Sequence, residues 1–423
     1  MSIVVMKFGG SSVADADRIR AVAARAIHTQ KQGHQVVMVV SAMGDSTDHL
    51  LDLARQISKD PPKREMDQLL ATGEQVTISL VAMALEEAGA KAISFTAAQI
   101  GMITDQVHTK AKIRSIEVRR IHEQLEQGRI VIVAGFQGVT EDGAVTTLGR
   151  GGSNVSLVAI AAAVKADVCE NYTDVDGIYT ADPRIVPTAR KIDRISYDEM
   201  LELASLGANV LQNRAVEFAK KYNVPIHVRS SLNYNKGTMI VAETESMERI
   251  VVSGAALKDK LARVTLRNVP DKPGTAARIV HVIAEGNIVI DDIIQTRNED
   301  GTATFAFTCE LTELADAQKV INKLCRDLGC DAIYDDSVAK VSVVGVGMRI
   351  HTGVASTMFS ALAKAGINIQ NVTTSEIKIS CLIDRNQGKE ALRLVHDAFE
   401  LGKALPAAKA AAKKSPARKA KKK

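Results

Sequence analysis

Residues 3–43, IVVMKFGGSSVADADRIRAVAARAIHTQKQGHQVVMVVSAM, read as strand, glycine turn, helix, strand. The run IVVMKF (3–8) is almost wholly apolar. QVVMVVSAM (35–43) repeats that texture after a stretch with helical spacing from about Asp15 to Gln32. A half-solvated strand would alternate apolar and polar residues, whereas one apolar throughout is buried on both faces, as in a parallel sheet covered by helices. RIVIVA (129–134) has the same character. An α/β unit with a mainly parallel sheet is therefore expected over about residues 1–240. Neither a Walker A sequence nor G-x-G-x-x-G occurs, so nucleotide binding here requires another device.

The chain of 423 residues exceeds one ordinary core and suits two or three domains. No apolar run approaches the roughly 20 residues of a membrane helix, and MSIVVMKFGG lacks a basic flank, so neither a membrane span nor secretion is expected. The five cysteines are odd in number, scattered and never spaced C-x-x-C, against a disulfide framework or zinc site; a reducing cytoplasm and no resident metal are expected. The net charge of +5 is misleading. Nine positive charges lie in 403–423 with no acid after Glu400, and removing them leaves −4 for residues 1–402. The Lys/Ala/Pro tail 403–423 reads as a disordered basic segment outside the fold. It has no aromatic stacking platform, so nucleic acid is not the expected partner.

From about residue 248 the units shorten and an internal repeat appears. ARVTLRNVPDKPGTAARIVHVIAEGNIVI (262–290) lies over AKVSVVGVGMRIHTGVASTMFSALAKAGINI (339–369), each reading strand, glycine turn, helix, strand. Gly274 and Gly353 fall at the strand-to-helix turn, where exposed amides suit a small anion such as an amino-acid carboxylate.

Four segments can carry chemistry. In VVMKFGGSSV (4–13), Lys7 ends a strand, Gly9 and Gly10 open a turn, and Ser11 and Ser12 are placed to cap the next helix, which together make a phosphate cradle. An ordinary strand–turn–helix corner reads the same way. In TTLGRGGSNVSLVAIAAA (146–163), Gly149, Gly151 and Gly152 lead into a helix beginning with Ser153 and Asn154, and Arg150 can fork onto a carboxylate. A purely structural turn is the alternative. YTDVDGIYTADPRIVPTARKI (172–192) gathers Asp174, Asp176, Asp182, Tyr172, Tyr179 and Arg184, types that orient ribose or Mg²⁺, stack on adenine or meet phosphate; a solvated loop has the same composition. Finally SAMGDSTDHL (41–50) and ATGEQV (71–76) offer Ser41, Thr47 and Glu74, the last suited to a substrate ammonium, though Glu and Thr also cap helices.

Taken together, KFGGSSV, VSAMGDSTD, ATGE, GFQG, LGRGGS, YTDVDGIYTADPR, ISYDEMLELASLGA, NVPIHVRSS and TSEIKIS resemble the aspartate kinases, in family order over about residues 1–402. The resemblance implies a three-layer amino-acid-kinase fold over 1–245 and two ferredoxin-like ACT domains. The first spans 262–337 and is inserted in the second, which is built from 248–261 and 338–402. It implies that ATP with Mg²⁺ phosphorylates the side chain of L-aspartate, the first step of lysine, threonine and methionine biosynthesis. Lys7, Arg150 and the position of Asn154 would be catalytic. Lys7, Gly9, Gly10, Ser11, Thr173, Asp174, Tyr179, Asp182, Arg184 and Asn209 would meet the nucleotide, and Ser41, Thr47, Glu74, Arg150, Gly152 and Ser153 would hold aspartate. Asp271, Ala276, Val289, Asp291 and Gln295 would surround lysine or threonine as effector, and a homodimer or α2β2 assembly would form through the ACT domains.

The chain departs from the family pattern at three asparagines. Asn154 stands where Gly-Gly-Ser is normally followed by aspartate, Asn209 replaces a lysine near the nucleotide, and Asn171 precedes Tyr172 where an apolar residue is usual. A neutral Asn154 weakens attraction for a substrate ammonium, and a neutral Asn209 weakens nucleotide binding, so a weak or inactive amino-acid sensor is the rival expectation. A kinase of the same fold acting on glutamate or acetylglutamate is the nearer enzymatic rival, disfavoured by the repeats and the YTADPR loop.

Overall fold

A computed structural model describes residues 2–149, 151–207, 211–243 and 250–403. Its largest element is an eight-stranded sheet in the order Arg194–Ser196, Thr238–Val241, Ile226–Ser230, Val168–Thr173, Ile3–Phe8, Gln35–Val40, Ile130–Ala134, Ala92–Phe95. Every neighbouring pair is parallel except Ile226–Ser230 with Thr238–Val241. The continuous apolar runs split by parity. Met6, Phe8, Met38 and Ile132 face helices Ala16–Lys31 and Lys63–Glu87, while Val5, Val37, Val39 and Val131 face helices Gly152–Ala163 and Asn213–Tyr222. Helix Ala16–Lys31 begins one residue inside the expected span, and its cap is Asp15, whose carboxylate accepts from the Arg18 N–H. The serines expected to cap it do otherwise: Ser11 and Ser12 lie in a 3₁₀ turn, Gly10–Val13, and the Ser12 hydroxyl donates to Ser231 Oγ at 2.8 Å.

Helix Lys63–Glu87 is, by length and mean hydropathy alone, apolar enough to cross a membrane, although polar residues interrupt every apolar run within it. Here Leu70, Ile78, Val81 and Leu85 are buried within the protein, as are its acids Asp67 and Glu74.

The repeat becomes two antiparallel four-stranded sheets. One has the order Ile290–Arg297, Thr302–Glu310, Leu261–Pro270, Asp331–Asp335, with helices Thr275–Glu285 and Leu314–Leu328 packed against it. The other has the order Gly254–Lys258, Val338–Val344, Lys378–Asp384, Asn371–Thr374, with helices Val354–Lys364 and Gly388–Ala398. Its first strand comes from before the inserted unit and pairs antiparallel with Val338–Val344. Gly274 and Gly353 cap the equivalent helices with φ of 93° and 90°, left-handed backbone that glycine adopts without strain.

Candidate active site

Because the central strands are parallel, their carboxyl ends open on one edge, the usual place for a site in this architecture. Lys7 and Phe8 end one strand, Val40 leads to Ser41, Ala134 to Gly135, and Thr173 ends a fourth. A cleft of about 250 Å³ at that edge is lined by Lys7, Ser41, Thr47, Glu74, Phe136, Gly151, Gly152, Ser153 and Asn154. Residues separated by almost 150 positions are thus brought to one space, as the substrate set read from sequence requires. Arg150 and Asn209 lie outside the described residues.

Among the described residues, the cleft holds charge without compensation. Lys7 is 8 % exposed and makes no ion pair among the described residues; burial lowers its ammonium pKa to about 8. Glu74 is 2 % exposed, and burial raises its carboxyl to about 7 despite the Ala42 N–H donating to Oε1 at 3.0 Å. Glu74 Oε2 and Asn154 Oδ1 are buried acceptors lacking a partner among the described residues. A buried cation wanting an anion, beside a buried acid and a carbonyl wanting donors, suits a phosphate together with an amino acid bearing an ammonium.

Glycines let the walls close. A Cβ on Gly10 would meet the Ala42 carbonyl oxygen at 2.9 Å, so the cradle turn and the Ser41–Asp45 turn can adjoin only without a side chain there. They are joined where the Gly44 N–H donates to the Gly10 carbonyl at 3.1 Å. Gly151 caps helix Gly152–Ala163 in left-handed backbone (φ 69°), placing Ser153 and Asn154 in its first turn. The Ser41 hydroxyl donates to Ser153 Oγ at 2.9 Å, tying the two sides of the cleft.

Sequence reading passed over Phe136, which also lines the cleft, and Asp67 on helix Lys63–Glu87. Asp67 is fully buried and accepts from the Thr147 hydroxyl at 2.6 Å, from the Thr109 N–H, and pairs with His108 Nδ1 at 2.8 Å, anchoring the strand that leads into the glycine loop. GFQG (135–138) was the only signal for Phe136, and a single Asp inside a helix gave none for Asp67.

Of the nucleotide candidates among the described residues, only Lys7 lines this cleft. Thr173 ends the strand beside Lys7's, its hydroxyl engaged with Val175; Asp174 is exposed, and Tyr179 is half-buried. Arg184, its side chain 88 % exposed, forks onto Asp182, with Nη2 at 2.7 Å from Oδ2. Two suggestions for this loop are corrected. Tyr172 is no adenine platform: it is buried, stacked on Phe8 at 4.7 Å, with its hydroxyl donating to Glu170. Asp176 is taken by the side-chain amides of Asn233 and Asn235.

The effector candidates are split. Asp271 ion-pairs with Arg297 at 3.0 Å, which brings the Gly274 turn with Ala276 to the end of the edge strand bearing Gln295. Val289 and Asp291 lie at that strand's other end, where Asp291 pairs with Lys340 of the second unit at 2.8 Å.

A mainly parallel sheet with a charged cleft at its carboxyl edge, followed by two antiparallel helix-backed sheets, defines an α/β small-molecule-binding protein with a two-part C-terminal module. The amino acid kinase family profile matches residues 2–230, and ACT domain profiles match 264–329 and 341–399. The aspartokinase of Mycolicibacterium smegmatis is 52 % identical over 408 residues, covering 95 % of this chain and 97 % of that one. An aspartate kinase of Pseudomonas putida is 49 % identical over 403 residues, covering 95 % and 98 %. A solved structure of E. coli aspartokinase III in complex with aspartate and ADP superposes with a TM-score of 0.79 at 25 % identity, covering 94 % and 99 %. The chain belongs to the aspartokinases, ATP-dependent kinases acting on the aspartate carboxyl group.

Proposed function

We propose that the Lys7–Glu74 cleft binds L-aspartate beside the γ-phosphate of ATP and yields 4-phospho-L-aspartate and ADP, as the first step of lysine, threonine and methionine biosynthesis. What carries this reading is the pairing, in one cleft, of a buried cation with a buried acid, each without a charge partner among the described residues. Glu74 Oε2 takes the substrate ammonium, and Asn154 Oδ1 accepts a further N–H from it. Arg150 forks onto a carboxylate, while Ser41, Thr47, Gly152 and Ser153 complete the aspartate site. Lys7, Gly9, Gly10 and Ser11 face the phosphates. Thr173, Asp174, Tyr179, Asp182, Arg184 and Asn209 surround the nucleotide.

The nucleophile is the substrate's own carboxylate, ionised at neutral pH, so no protein base is needed. One carboxylate oxygen bonds to the γ-phosphorus as the bond to the ADP oxygen breaks, and no proton moves. Catalysis then rests on in-line placement and on Lys7 offsetting the repulsion between two anions. Mg²⁺ bound on the nucleotide phosphates would supply further charge neutralisation there.

Residues 1–245 form the catalytic unit in this reading, 262–337 the first ACT domain, and 248–261 with 338–402 the second. Lysine, threonine or both act as feedback effectors on the first, near Asp271, Ala276, Val289, Asp291 and Gln295; a relative, E. coli aspartokinase III, has been solved with lysine and aspartate. Assembly as a homodimer or α2β2 complex runs through the ACT sheets, whose edge strands leave Val289, Ile293 and Val372 exposed. Five free, buried cysteines suit a cytoplasmic enzyme. The test is incubation with Mg-ATP, L-aspartate and hydroxylamine, which traps the acyl phosphate as a hydroxamate. Aspartate-dependent hydroxamate suppressed by lysine or threonine supports kinase and sensor together. No hydroxamate, with either effector still binding, would leave a non-catalytic sensor.

A further inference from the structure

The loop proposed to hold ATP has two faces, and the second ACT unit owns one of them. The loop doubles back on itself: the Thr180 N–H donates to the Arg190 carbonyl at 2.8 Å, the Ile192 N–H to that of Ile178, and Tyr179 bridges to Lys191. Tyr179 and Asp182 are half-buried and Arg184 is exposed. Its inner face, Ala181 and Val186, is buried in the same apolar cluster as Leu392, Val395 and Leu401 of the second ACT unit.

Polar contacts fix the register of that packing. Thr180 is fully buried, and its hydroxyl lies 3.0 Å from Nε2 of His396, itself fully buried on the last helix, Gly388–Ala398. The same hydroxyl accepts from the Arg190 N–H at 2.9 Å, so one buried side chain ties both strands of the loop to the helix, the donor between Oγ1 and Nε2 being set by the ring tautomer. His396 Nδ1 is buried without a hydrogen-bond partner among the described residues, 3.7 Å from the Asp397 carboxylate. Burial lowers the pKa of His396 and so favours the neutral ring. Arg393, one helical turn earlier, donates from Nε to the Ile185 carbonyl at 2.8 Å, and the Ala255 N–H donates to the Thr180 carbonyl at 2.7 Å.

We propose that the last helix of the second ACT unit is part of the nucleotide site, with His396 a positioning residue that holds Thr180 and thereby sets Tyr179, Asp182 and Arg184 against ATP. This rests on the assignment of the 172–192 loop to the nucleotide. It gives the sensing half a direct mechanical hold on ATP affinity, because any shift of helix Gly388–Ala398 moves a loop that shares its core.

The experiment compares His396→Ala, His396→Gln, Arg393→Ala and Asp182→Asn in the full chain, measuring KM for ATP, KM for aspartate, kcat and thermal unfolding. His396→Ala is expected to raise KM for ATP about three- to tenfold, the range that losing one buried hydrogen bond sets, and to leave KM for aspartate in place. His396→Gln, whose amide can both accept from and donate to Thr180, should restore much of the ATP affinity. Arg393→Ala, at an exposed contact, should move KM for ATP in the same direction should His396→Ala fold poorly. If Asp182→Asn raises KM for ATP but neither His396→Ala nor Arg393→Ala does, the positioning role is wrong. Equal loss for both substrates, tracking thermal stability, would likewise reduce His396 to a core residue. An unchanged KM for ATP in Asp182→Asn would instead overturn the loop assignment beneath it.

Discussion

At the scale of single residues, the chemistry is set by Lys7 and Glu74, whose pKa values burial has moved toward each other, to about 8 and about 7. Glu74 must be ionised to take an ammonium and Lys7 protonated to offset phosphate. The kcat/KM for aspartate should therefore rise through about pH 7 and fall above about pH 8, a narrow bell read from a pH profile. Glu74→Gln should erase the acidic limb and raise KM for aspartate at least tenfold. The linkage to stability has the opposite sense. A carboxyl raised from 4.5 to about 7 contributes stability fully present below pH 4.5 and lost as pH rises through 7, on the order of 3 kcal/mol. Glu74→Gln should accordingly melt higher than the parent at pH 8 without substrate, and a lower melting point would show that Glu74 is compensated in solution. Lys7→Ala should cut kcat by about 10²–10³, the usual loss when a group aimed at transition-state charge is removed. Asn154→Asp adds a charged acceptor where a neutral carbonyl oxygen has no partner among the described residues, and should lower KM for aspartate severalfold in a steady-state assay.

At the scale of elements, the helix ends and turns show which local signals could be trusted. The Asp15 cap has two serines nearby, and only geometry separates them: Asp15 is extended immediately before helix Ala16–Lys31, while Gly10–Val13 has already curled into a 3₁₀ turn. Asp15→Ala should cost about 1 kcal/mol in denaturant unfolding, with Ser11→Ala near neutral. Glycines divide in the same way. Gly274→Ala meets open space but a φ of 93°, so a cost of about 1 kcal/mol with chemistry intact is expected. Gly10→Ala would drive a methyl against backbone at the cradle and should abolish turnover. Both glycines stand out in sequence; only the neighbouring atoms say which substitution is conformational and which is steric.

At the scale of the whole molecule, a few buried charges join the units. Glu199 caps helix Tyr197–Ser205 through Ser196 and also accepts from the Ser253 hydroxyl and the Val346 N–H at 3.1 Å, linking the catalytic unit to the second ACT unit. Lys340, 1 % exposed, reaches from the second unit to Asp291 and Asp292 of the first. Lys340→Met would strand a nearly buried Asp292 carboxylate, and a loss of about 3 kcal/mol in thermal or denaturant unfolding is expected. Much of this molecule was legible beforehand. The apolar runs determined a parallel sheet because a strand without polar residues cannot face water, the repeat determined two similar units because similar patterns bury similar faces, and the glycine-rich segments marked turns at the cleft. Tertiary structure alone decided which of those candidates share a space. Tyr172 went into the core against Phe8, Asp291 paired with Lys340 of the second unit, and Asp67 and His396 found buried partners that no motif announces. The reason is physical: periodicity and turn chemistry are local and survive in one dimension, whereas desolvation and hydrogen-bond partnership depend on residues that the chain brings together only by folding.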